Sequence, residues 1–175
     1  MVINCQYEVN VPQTLHLTVK TADEVWIACA LLHRETPSRQ DFEVKEIANR
    51  ARREAISGPY RQAIYVHAFQ HCVANRAPDR GRYRMLYATG KLTRRLFRPG
   101  DSYHPAREGG KIVPVPEEIP SQYRPLLDWY HEEYIRAAAH SPEQDSILAL
   151  RGLGKEIWAD EDPDEYVRRL REGWE

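Results

Sequence analysis

The sequence predicts an α+β fold that is mainly helical, and three observations carry that expectation. Apolar residues recur at helical spacing in three successive stretches, Val25–Leu32, Ile47–Ala51 and Ile64–Val73. Two runs of strand character, YRMLYAT and RRLFR, flank Gly90-Lys91-Leu92-Thr93 and predict a hairpin. Helical spacing returns beyond a proline-rich stretch, at Tyr123, Leu126, Leu127, Tyr130 and Tyr134. A chain of 175 residues with this pattern suits one domain plus an appendage, or two small domains.

Composition narrows the class. A hydrophobic fraction of 42% supports a core, while 29% charged residues and a mean hydropathy of −0.68 imply extensive exposed surface. No apolar run approaches the roughly 18 residues of a membrane span, and MVINCQYEVN lacks a signal-peptide pattern. Cys5, Cys29 and Cys72 are odd in number and have no CxxC spacing, which fits a reducing cytoplasm better than a disulfide framework. A cytoplasmic protein is expected.

The net charge of −1 conceals a strong asymmetry. From Lys45 to Arg98 there are 13 Lys and Arg against 3 acids, a net of +10. From Lys155 to Glu175 there are 4 basic and 8 acidic residues, a net of −4. A basic middle and an acidic tail imply two partners of opposite charge, or a tail that folds over the basic surface.

Residues 1–20 alternate as one or two strands, with Tyr7, Val9, Val11, Leu15, Leu17 and Val19 on the apolar side. An edge hairpin or a strand exchanged in a dimer follows from that pattern. Thr21 is the expected N-cap of a first helix, with Glu24 completing a capping box and Val25, Ile27, Ala28, Leu31 and Leu32 forming its apolar face to about Arg34. Phe42 to Val44 is expected to be a short strand that pairs with the hairpin. A second helix then places Ile47, Ala48 and Ala51 inward and Arg50, Arg52 and Arg53 on its polar side. Ser57-Gly58-Pro59 breaks it, and a third helix is expected from about Arg61 to Arg76 with Ile64, Val66, Ala68, Phe69 and Val73 in its apolar part.

His67 and His71 stand four apart beside Cys72, a sound spacing for two metal ligands. No motif supplies a third ligand and no Glu follows His67 as in HExxH, so no metal or other cofactor is expected. The sequence holds no GxSxG, no P-loop and no Cys/His pair with an orienting acid at recognisable spacing, which argues against an enzyme. Residues 104–120, with Pro105, Pro114, Pro116, Pro120 and Gly109-Gly110, are expected to form a linker. Ser121 is then expected to cap an amphipathic helix reaching about Ala139, within a segment 121–141.

Helix, turn, helix and basic hairpin in that order resemble the winged helix-turn-helix DNA-binding superfamily across about Thr21 to Asp101, within a domain bounded at 21–103. The resemblance implies that the third helix enters the major groove of double-stranded DNA and that the hairpin acts as a wing. Candidate DNA contacts are Arg50, Arg52 and Arg53 on the second helix and Arg61, Gln62, Tyr65 and Gln70 on the third. Arg82, Arg84, Lys91, Arg94 and Arg95 are the candidates on the hairpin.

The tail, residues 142–175, is too apolar for a solvated extension and too short to bury its own face. Asp162-Pro163 starts a helix on which Tyr166, Leu170 and Trp174 fall four apart, and Leu150, Ile157 and Trp158 add upstream anchors. The run GKEIWADEDPDEYVRRLREGW resembles the toxin-neutralising C-terminus of antitoxins in VapBC-type toxin–antitoxin pairs. That likeness implies a PIN-domain ribonuclease as partner, with Trp158, Tyr166, Leu170 and Trp174 as anchors and Arg168, Arg169 or Arg171 reaching the toxin's acidic site. A DNA-binding antitoxin that represses its own operator, as a homodimer or hetero-oligomer, is the function expected. The alternative is a non-catalytic DNA-binding or protein-interaction module of a restriction or defence system.

Overall fold

A computed structural model of the chain describes residues 19–139 and 162–172. The expected strands of residues 1–18 and the anchors Leu150, Ile157, Trp158 and Trp174 lie outside the described residues. The fold is α+β, with about half of the described residues helical and a small antiparallel sheet of three strands. The chain divides into two compact units, residues 1–132 and 133–175.

In the first unit, helix α1 (Thr21–Glu35) is the centre. Ala22 to His33 are all buried, so the helix is surrounded on every side and not merely along the stripe that Val25, Ile27, Ala28, Leu31 and Leu32 predicted. Its N-cap is Lys20 and not Thr21, and no side chain caps it. Glu24 does not close a capping box. It lies buried, pairs with Arg61 at 2.7 Å and accepts the Ser57 N–H at 3.0 Å. Asp23, also buried, pairs with Lys111 at 2.8 Å.

Strand β1 (Phe42–Glu43) leads directly into helix α2 (Val44–Glu54). Glu46 accepts the Glu43 N–H at 2.9 Å and holds Arg39 through both oxygens at 2.7 and 2.9 Å, fixing the entry to the helix. Val44, Ile47, Ala48 and Ala51 are buried, which matches the expected face. The helix ends at Ala55 in the left-handed region (φ 48°).

Helix α3 (Ala63–Val66) continues as a π-helical turn over His67–His71, so it ends five residues before the expected Arg76. The Cys72 N–H reaches back to the His67 carbonyl at 2.9 Å, an i→i+5 bond that widens the turn. This shift changes which residues face inward. Ile64, Ala68, His71, Cys72 and Val73 are buried, whereas Val66, expected in the apolar part, is 45% exposed.

Strands β2 (Leu86–Ala88) and β3 (Thr93–Leu96) form the hairpin, and β1 adds to the far side of β3, giving the order β1-β3-β2. Phe42 lies opposite Arg94, so the expected pairing of Phe42 with the hairpin is present. The predicted alternation fails at Met85 and Leu86, which are both fully buried. Their two N–H groups share the Cys72 carbonyl at 3.1 and 2.9 Å, which breaks the period of two at the strand entrance.

Within residues 104–120, the expected linker, Arg107, Pro114 and Ile119 are buried. Short 3₁₀ turns occur at Pro105–Arg107, Pro116–Glu118 and Ser121–Tyr123, and Ser121 caps nothing. Helix α4 (Pro125–Trp129) and a π turn (Tyr130–Tyr134) follow, and α5 (Ile135–Ala139) belongs to the second unit. The predicted stripe Tyr123, Leu126, Leu127, Tyr130 and Tyr134 is buried throughout. Within the first unit, Tyr130 meets Trp26 edge-on at 5.7 Å and donates its hydroxyl to the Phe97 carbonyl at 2.5 Å.

In the second unit, helix α6 (Pro163–Glu172) begins as the sequence predicted. The Asp162 carboxylate accepts the N–H groups of Asp164 and Glu165 at 2.8 and 3.4 Å, and Pro163 occupies the first helical position.

Candidate functional site

The basic residues of the first unit fall into two groups once their partners are traced. On α2, Arg52 and Arg53 are exposed, Arg52 lying over the Tyr60 ring at 4.2 Å. Arg50, on the same helix, turns back: it is clamped between Glu35, at 2.6 Å, and Glu54, which also accepts from Tyr123. On α3, Gln62 is exposed and Tyr65 is half-buried, stacked on Phe69 with ring centroids 6.3 Å apart. Arg61 is held by Glu24 and by the Val19 carbonyl at 3.0 Å, and the Gln70 amide donates to the Ala77 carbonyl at 2.8 Å.

The hairpin departs furthest from expectation. Arg94, expected at an exposed tip, is fully buried. In β3 it shares a face with Leu96, and register places it opposite Ala88 on the inner side of the sheet. Its guanidinium donates to the carbonyls of Thr93 (2.6 Å), Gly90 (3.0 Å) and Phe69 (3.0 Å). Burial, with Arg76 alongside, pushes its pKa down to about 10. Arg76 joins the same carbonyls, donating to Phe69 at 3.3 Å and Lys91 at 3.1 Å. Together the two arginines fasten the end of α3 to the hairpin turn.

Arg95 is engaged as well. It grips Asp101 through two bonds of 2.7 and 2.6 Å and covers the cross-strand Tyr87 ring at 4.5 Å. Arg84 donates to the Gly110 carbonyl at 3.3 Å and lies over the Tyr103 ring at 4.3 Å. Arg82 and Lys91 remain exposed and form no ion pair among the described residues. Of the twelve DNA-contact candidates, Arg52, Arg53, Gln62, Arg82 and Lys91 are exposed, and Tyr65 is accessible in part. Arg50, Arg61, Gln70, Arg84, Arg94 and Arg95 serve internal contacts.

Two residues that sequence reasoning passed over hold this region together. Arg107 is fully buried without a carboxylate partner among the described residues, and its guanidinium donates to six carbonyls: Tyr83 (2.6 Å), Arg76 (2.7 Å), His71 (2.8 Å), Gln70 (3.0 Å), Gly81 (3.1 Å) and Ala77 (3.4 Å). Asn75 pairs with both backbone groups of Ala88, at 2.9 and 3.0 Å. An arginine in a proline- and glycine-rich segment and an asparagine at a helix end carry no local signal of such roles.

His67 and His71 meet edge-on at 4.9 Å, with the Cys72 sulfur 3.6 Å from His67 Nδ1. Burial, then the neighbouring His71 and Arg61, pushes the His67 pKa down to about 4. Among the described residues, no group of three His, Cys, Asp or Glu could hold a metal ion. On α6, Arg168, Arg169 and Arg171 are exposed, Val167 is 42% exposed and Tyr166 is half-buried. No protein-family model, curated protein or solved structure matches this chain.

Proposed function

We propose that the first unit contains a winged helix-turn-helix that binds double-stranded DNA, with α2 and α3 as the helical pair and β2–β3 as the wing. One observation carries this reading: three helices with a short strand after the first, then a hairpin, in a sheet of order β1-β3-β2. The exposed Arg52, Arg53, Arg82 and Lys91 supply cations suited to phosphates, and Gln62 and Tyr65 on α3 supply groups suited to base edges. The partner-binding role of residues 142–175, as the neutralising tail of an antitoxin against a PIN-type ribonuclease, rests on their resemblance to VapBC antitoxins. The exposed basic face of α6 is consistent with it.

Fluorescence anisotropy with a labelled duplex over a salt series tests the DNA reading. Arg52→Gln with Arg53→Gln should weaken binding about tenfold and make the salt dependence shallower by about 2 units. Both side chains are exposed, so circular dichroism should be unchanged. An unaltered affinity in this double variant removes α2 from the interface. For the tail, inhibition of a PIN-type ribonuclease by the full chain should disappear when residues 142–175 are deleted.

A second reading, a protein-interaction module built on the same fold, draws on the six candidates that serve internal contacts. The surface is less basic than the net of +10 suggested. A chain that shows no salt-dependent affinity for any duplex favours that reading.

A further inference from the structure

An open cleft of about 520 Å³ lies between α3 and the loop that carries Pro78 to Tyr83. Its size falls in the range of small-molecule sites, roughly 300–1,000 Å³. Its lining is divided by chemistry. Ala63 and Val66 give an apolar wall from α3, with Val66 the side chain that the π turn leaves 45% exposed. The consecutive residues Asp79 and Arg80 also line it, both are exposed, and neither enters an ion pair with a described residue. His67, His71, Gly81 and Tyr83 complete the wall; His71 is only 8% exposed, and its Nδ1 has no hydrogen-bond partner among the described residues.

We propose that this cleft binds a small zwitterion with a short apolar side chain, in chemical terms an apolar α-amino acid. Charges of opposite sign on two consecutive lining residues, neither in an ion pair with a described residue, suit a ligand that carries both an ammonium and a carboxylate. Asp79 takes the ammonium and Arg80 takes the carboxylate through charge-assisted hydrogen bonds. The apolar side chain then covers Ala63 and Val66, which removes exposed hydrocarbon from water. A nucleotide or other polyanion is disfavoured by Asp79, and a simple anion or cation leaves one member of the charged pair without a partner. The π turn at His67–His71 gives the wall its shape, and such turns recur at functional sites in helices. Tyr83 and Gly81 are fixed from behind by their carbonyl bonds to Arg107, so the wall facing α3 is held before any ligand arrives.

Isothermal titration calorimetry on the full chain tests this site without DNA, so its outcome is separate from that of the DNA reading. The probes are L-leucine, 4-methylpentanoate, which lacks the ammonium, and 3-methylbutylamine, which lacks the carboxylate. Leucine should bind saturably with a Kd of about 1 mM or tighter. Each analogue should bind about tenfold more weakly, and Asp79→Asn and Arg80→Gln should each weaken leucine binding by about tenfold. Absence of saturation with leucine up to about 10 mM overturns the proposal. So does equal affinity for leucine and 4-methylpentanoate, which indicates a plain anion site, or an unchanged affinity in either variant.

Discussion

Helix α2 and the segment from β2 to Arg107 are both rich in arginine, and they use it in opposite ways. On α2 Arg52 and Arg53 face solvent from the last turn, while Arg50 turns back to the carboxylates of Glu35 and Glu54. Between the end of α3 and β2 there is little regular structure: the carbonyls of His71, Arg76, Gly81 and Tyr83 have no ladder to join, while those of Gln70 and Ala77 accept from the Val73 N–H and the Gln70 amide as well as from Arg107. A buried carbonyl without a donor costs about 1–3 kcal/mol, and Arg107 supplies donors to all six. Arg94 and Arg76 do the same for Phe69 and the hairpin turn. The difference teaches that an inward arginine follows its acceptors: carboxylates for Arg50 on α2, and backbone carbonyls largely outside regular structure for Arg107, Arg94 and Arg76.

Arg107 is the place where breaking this contrast costs most. Arg107→Met removes a buried cation that donates to six carbonyls, of which only Gln70 and Ala77 have a second donor, and a loss of about 4 kcal/mol in unfolding free energy is expected. Arg107→Lys should recover only part of it, because an ammonium has three donors and no planar fan. Urea denaturation of both variants reads the effect. A loss below about 1 kcal/mol in the Met variant would mean that water satisfies those carbonyls and that the inward arginine is incidental.

Gly110 sharpens the same contrast from the side of the chain that delivers Arg107. A Cβ built at Gly110 lies 1.6 Å from the Arg82 carbonyl oxygen and 2.9 Å from that of Arg107, so even alanine forces the backbone apart. Gly110→Ala should therefore destabilise by about 3 kcal/mol through overpacking. Gly109, at φ +69°, has open space around its Cβ position, so Gly109→Ala meets only the smaller left-handed backbone penalty of about 1 kcal/mol. Equal melting temperatures for the two variants would show that the close approach is not rigid.

Elements of both units were legible in the sequence because their signals are local. Ile47, Ala48 and Ala51 fix the inner face of α2, Tyr123 to Tyr134 fix the later helical run, and Asp162-Pro163 fixes the start of α6. The orientation of the arginines was not legible, because composition counts a guanidinium as surface charge wherever it falls. Arg94 is the one exception with a readable clue: it stands two residues before Leu96 in a strand and therefore shares its face. The role of Arg107 depends on carbonyls from Gln70 to Tyr83, contacts made only after the chain has folded. The same holds for Gly110, whose dipeptide reads as flexible spacer until the Arg82 carbonyl is placed beside it.

His33, on α1, feels the inward arginines from a distance and gives the smallest of the expected effects. It is buried against Phe42 at 4.9 Å between ring centroids, and burial, followed by the charges of Arg98 and Arg95, pushes its pKa down to about 3. In the unfolded chain the imidazole takes up a proton near its ordinary value of about 6.5. Between those values the unfolded state binds the extra proton, so stability is fully present above about pH 6.5 and falls as the pH drops toward 3. The limiting slope from one such group is about 1.4 kcal/mol per pH unit. Below about pH 5, Glu46 and Glu118, whose carboxyls are held below the usual range by their cationic partners, lose stabilisation as well. The informative window is therefore pH 5 to 6.5, roughly between the ordinary carboxyl and imidazole values. There, His33→Gln should roughly halve the dependence of unfolding free energy on pH that histidines give, leaving a similar share from the half-buried His67, whose pKa is pushed down to about 4. If the slope in that window is the same with and without His33, the imidazole is protonated in the folded protein and the field of Arg95 and Arg98 does not reach it.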